Sequence, residues 1–195
     1  MNPVASRNLL RAVASFAMVA LLTTPVFAHT GVSTHGTFFS GLLHPLSGLD
    51  HLAAMISVGL WASVVGGKRV WAWPLAFVSA MIAGGILGFS GVYLPAVEPL
   101  IAASVIVLGL AVTAVLNAPV WLGAAVVGAM AVFHGHAHGT EAPGGDWLWY
   151  ALGFVAATAA LHVSGIALGQ FLQREWPVRL VGGATAALGV LLLLQ

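Results

Sequence analysis

The chain has 195 residues, 60% of them hydrophobic and only 6% charged, with a net charge of +1. Soluble domains carry about a quarter charged residues, so this composition excludes a water-soluble fold, and no basic cluster is dense enough to bind nucleic acid. There are no cysteines, which excludes disulfides, iron–sulfur clusters and thiolate metal sites; the eight histidines outnumber both the five acids and the six bases.

Residues 1–28 read as a cleavable signal peptide. Arg7 and Arg11 form a positive n-region, residues 12–22 an apolar run, and Val26-Phe27-Ala28 supplies small residues before a cleavage point. Cleavage after Ala28 makes His29 the first mature residue; an uncleaved signal anchor is the alternative. Residues 29–195 then form one membrane domain. Apolar runs cover residues 43–65, 70–94, 100–116, 120–134, 147–172 and 178–195. The expectation is an all-α integral membrane bundle of about six transmembrane helices in the lipid bilayer. Threaded from outside, Lys68, Arg69, Arg174 and Arg179 fall inside, and Glu98, Glu141 and Asp146 fall outside. That agrees with the positive-inside rule and puts both mature termini on the periplasmic side of a bacterial inner membrane. Small residues recur every four positions, at Ala80, Gly84 and Gly88, at Gly165 and Gly169, and at Gly182 and Ala186. They suit close helix packing within the bundle, with a homo-oligomer contact as the sharper alternative.

The first mature span opens with HPLSGLDH. His44 and His51 are seven apart and share one face if the helix includes both, and Pro45 suits a helix's first turn. Asp50 beside His51 is an intramembrane acid, which is costly and therefore functional by default. The fourth span ends in FHGHAHGTE, where His134, His138 and Glu141 share one helical face and His136 lies opposite; all four are candidate metal ligands, and a His-rich polar loop is the alternative. Gly135 and Gly139 weaken the helix, so the backbone is expected to open there. His162 stands alone in the fifth span, about 22 Å from Trp147 along a helix. Its readings are a helix–helix hydrogen-bond donor or a metal or proton relay. His29 and His35 in the mature tail read either as a second, weaker capture site or as part of a disordered tail. Imidazole and carboxylate without thiolate suit a divalent ion such as Ni²⁺, Co²⁺ or Zn²⁺.

HPLSGLDH and FHGHAHGTE resemble the two signature motifs of the HupE/UreJ family, and so does a signal peptide followed by six spans. The resemblance covers essentially the mature chain. It implies a nickel, sometimes cobalt, permease that supplies hydrogenase or urease maturation proteins. It carries the motif positions onto His44, Asp50, His51, His134, His138 and Glu141. The expected function is thus metal-ion transport without an enzymatic step. No P-loop is present to drive it. The alternative is an intramembrane metal-dependent hydrolase with Glu141 or Asp50 as base, although H-E-x-x-H is absent.

Overall fold

The computed structural model describes residues 37–142, 146–172 and 174–195. The signal peptide, His29 and His35 lie outside the described residues. Those described are helical throughout, with no strand: α1 Phe38–Ser47, α2 Leu49–Val65, a 3-10 turn Gly67–Arg69, α3 Ala72–Phe89, α4 Val97–Thr113, α5 Val120–Thr140, α6 Trp147–Leu172 and α7 Glu175–Leu193. Helices α3, α5, α6 and α7 are long and apolar enough to cross a membrane. The bent pair α1–α2 passes the same test only when its two helices are taken together, which brings the spans to five at most, and α4, at 17 residues, is a shorter apolar helix where a further span is expected. Leu75, Ile82, Ile86, Trp121, Leu152 and Leu180 stand exposed around the outside, as side chains facing lipid do.

The first expected span is not one helix. Its chain turns by 86° between α1 and α2. Pro45 sits in the last turn of α1 and does not open a helix. It withholds a backbone donor there and weakens that turn. The break at Gly48 is capped from both sides. Ser47 Oγ donates to the His44 carbonyl at 2.7 Å, and Asp50 Oδ1 accepts from the His51 amide at 2.8 Å. At its other end α1 begins with a capping box, in which Thr37 and Ser40 each satisfy the other's backbone N–H.

The expected opening at Gly135 and Gly139 does not occur; α5 runs unbroken to Thr140. These glycines serve packing instead. A Cβ on Gly135 would strike the Met81 carbonyl, and one on Gly139 the Gly85 carbonyl. Gly84 and Gly88 press in turn on the Val132 and His136 carbonyls. Backbone-to-backbone approach of this kind holds helices together in lipid, where apolar burial gives no drive. The same device joins α4 to α7 through Gly109 and Gly182, and α2 to α6 through Gly59 and Gly165. The small-residue stripes are therefore consumed within the chain. Helix α2 is the hub, packing against α6, α4, α7, α3 and α1.

Candidate metal site

Four of the histidines converge because three helix ends meet. His51 opens α2, and its Nδ1 lies 2.8 Å from Asp50 Oδ1. A carboxylate only accepts, so Nδ1 carries the hydrogen and Nε2 keeps its lone pair. That Nε2 lies 2.5 Å from Nε2 of His138, in the last turn of α5. His44, near the end of α1, sets its ring 4.6 Å from that of His138, and its Nε2 is 3.9 Å from Glu141 Oε2. The ligand atoms of His44, His138 and Glu141 all fall within 4.8 Å of one another, close enough to hold one metal ion. His44 and His51 thus share a site without sharing a helical face; the bend at Gly48 and His138 bring them together.

His134 lies one turn deeper on α5, its ring 4.8 Å from that of His51. Its Nε2 is 2.8 Å from Ser104 Oγ, and that hydroxyl sits 2.6 Å from the Ile101 carbonyl. The serine's one hydrogen is committed to the carbonyl, so its oxygen accepts from His134 Nε2–H. The lone pair of His134 Nδ1 is left without a hydrogen-bond partner in the buried interior. His136, counted from the sequence among the candidate metal ligands, turns away from the cluster. It donates from Nε2 to the Val92 carbonyl at 2.6 Å and anchors the α3–α4 connection.

His162 is set apart from the cluster. It is 1% exposed, and its ring packs 5.0 Å from Phe77. Phe77 in turn lies 5.7 Å from the His134 ring. Exposure falls inward. The side chains of His44 and Glu141 are 28% and 33% exposed, that of His51 is 6%, and His134 is fully buried. Imidazoles with a carboxylate suit a borderline divalent ion, and Asp50 orients the His51 ring from behind.

Two participants escape a reading of the sequence. Ser104 had a signal, one of two hydroxyls within an apolar run, but nothing in the sequence paired it with His134. Phe77 had none, being one aromatic among many.

The HupE / UreJ protein family model matches residues 17–192. The chain is 47% identical over 181 residues to Protein HupE of Rhizobium leguminosarum bv. viciae, covering 90% of this chain and 94% of that protein. No solved structure matches. With a family match along nearly its whole length and both histidine motifs at one site, the chain belongs to the HupE/UreJ family.

Proposed function

We propose that this protein is a permease for a divalent transition-metal ion, nickel first and cobalt second, that supplies hydrogenase or urease maturation. It acts in the bacterial inner membrane, with both mature termini periplasmic. The observation that carries this reading is the meeting of His44, His51, His138 and Glu141 from three helix ends, graded from half-exposed to buried. A hydrated ion would meet His44 and Glu141 first, then exchange water for the Nε2 lone pair of His51, displacing the hydrogen that His138 Nε2 donates to it and so freeing the His138 nitrogen to bind as well. Asp50 holds His51 in the ligating tautomer. His136, tied to Val92, would serve the frame.

Uptake of radioactive nickel, cobalt and zinc into cells with and without the chain, each ion competed by the others, tests the reading. Nickel accumulation should depend on the chain and be suppressed by excess cobalt. His138→Ala should abolish it while the protein remains in the membrane. Equal nickel uptake with and without the chain would reject the permease.

A further inference from the structure

Resting on the permease reading, we infer that His162 is a second, deeper metal-binding station, parted from the outer cluster by the Phe77 ring and reached by way of His134. The ion it takes is the same divalent transition metal, stripped of most of its water.

The first support is the state of His162 itself. Its ring is 1% exposed, and neither Nδ1 nor Nε2 has a hydrogen-bond partner. A neutral imidazole has one donor and one acceptor to satisfy, and buried polar groups are ordinarily paired. A histidine that held two helices together by a hydrogen bond would show that bond, and this one makes none. The ring sits deep in a membrane-spanning helix, where an ionisable side chain calls for a functional account.

The second support is a chain of rings at close steps. His44 lies 4.6 Å from His138, His138 lies 4.3 Å from His51, and His51 lies 4.8 Å from His134. Phe77 follows at 5.7 Å from His134, and His162 at 5.0 Å from Phe77. Four imidazoles precede the one ring without a ligand atom, and an imidazole follows it. His134 offers its unpartnered Nδ1 on the near side of that ring. An aromatic face attracts a desolvated cation, so Phe77 separates the two stations without repelling the ion.

The third support is the neighbouring rung. One turn along the same two helices, Thr158 Oγ1 donates to Met81 Sδ at 3.8 Å. The space between α3 and α6 therefore holds a hydroxyl and a thioether beside the Phe77–His162 pair. A thioether is a ligand for softer transition metals.

The test uses the full chain in detergent and in liposomes, with Ni²⁺ alone as probe. Bound nickel is counted by equilibrium dialysis, and influx is followed by quenching of an enclosed fluorophore. In His162→Leu the outer ion should bind with a Kd within about twofold of the parent, as distant sites behave independently. The second ion should be lost, and influx should fall about tenfold or more. His162→Met, which restores a ligand atom on an apolar stem, should recover part of both and guards against misfolding of the leucine variant. Unchanged ion count and influx in His162→Leu would overturn the inner station and leave the permease standing. Absence of nickel binding by the parent chain would overturn the permease and the station with it.

Discussion

At Asp50 one carboxylate oxygen does two things. Oδ1 accepts from the His51 backbone N–H and from the His51 ring, each at 2.8 Å. The acid therefore stands behind His51, the ligand in the proposed function, fixing its tautomer and its aim. Partners of this kind typically govern metal affinity by about 10–100-fold. Asp50→Asn keeps an acceptor oxygen but removes the charge. Nickel affinity of the purified variant should drop by about that factor while its amount in the membrane stays unchanged. An affinity equal to the parent's would show that the carboxylate is not needed behind His51. The Asp50–His51 adjacency was legible in the sequence because neighbours in the chain stay neighbours in space. The Ser104–His134 contact was not, because it joins α4 to α5 and only the packing of those helices creates it.

The element that shapes the site is the break between α1 and α2. Gly48 has φ −98° and ψ 122°, extended backbone open to any residue, so its need for glycine is one of space. A Cβ there would lie 2.7 Å from Asp50 Oδ1 and 3.2 Å from His51 Nδ1. Gly48→Ala should therefore part the Asp50–His51 pair, with nickel binding weakened about tenfold or more and the helical circular-dichroism signal kept. Parent-like binding would show that the pair tolerates the methyl group. The apolar runs made most helices readable, and α6 matches its expected 147–172 limits. The break was hidden because Pro45 fits the first turn of a helix as well as the last. The length of α5 was hidden because its final turns are polar and glycine-rich, and their helicity comes from packing on α3 rather than from propensity.

Across the whole molecule, α2 joins two constructions. Its first turn carries Asp50 and His51. Its last turns carry Trp61, whose indole donates to the Leu116 carbonyl at 2.7 Å and lies 4.3 Å from Trp73, which donates to the Val120 carbonyl at 3.0 Å. Together the two indoles hold the α4–α5 connection, where Val115 adopts a left-handed φ of 50°. For a β-branched residue that is a strained conformation, and the clamp maintains it. Trp61→Phe keeps most of the packing and leaves the Leu116 carbonyl without its donor. It should cost about 1–3 kcal/mol, read as a lower unfolding temperature in detergent, with nickel affinity unchanged at the far end of α2. A parent-like unfolding temperature would mean the connection needs no indole. Which helices pair was not written in any single span. Stripes of small residues mark a packing face without naming its partner.

The turn at Gly48 also has an electrical consequence. A continuous span would keep its backbone dipoles aligned and place no helix end within the bundle. The break exposes the amide end of α2, worth about half a positive charge, beside the carbonyl ends of α1 and α5, each worth about half a negative one. A dication at His138 would stand between these poles. Asp50, in the first turn of α2, adds a full negative charge to these carbonyl ends, so the helix termini and the acid together favour a cation at the histidines.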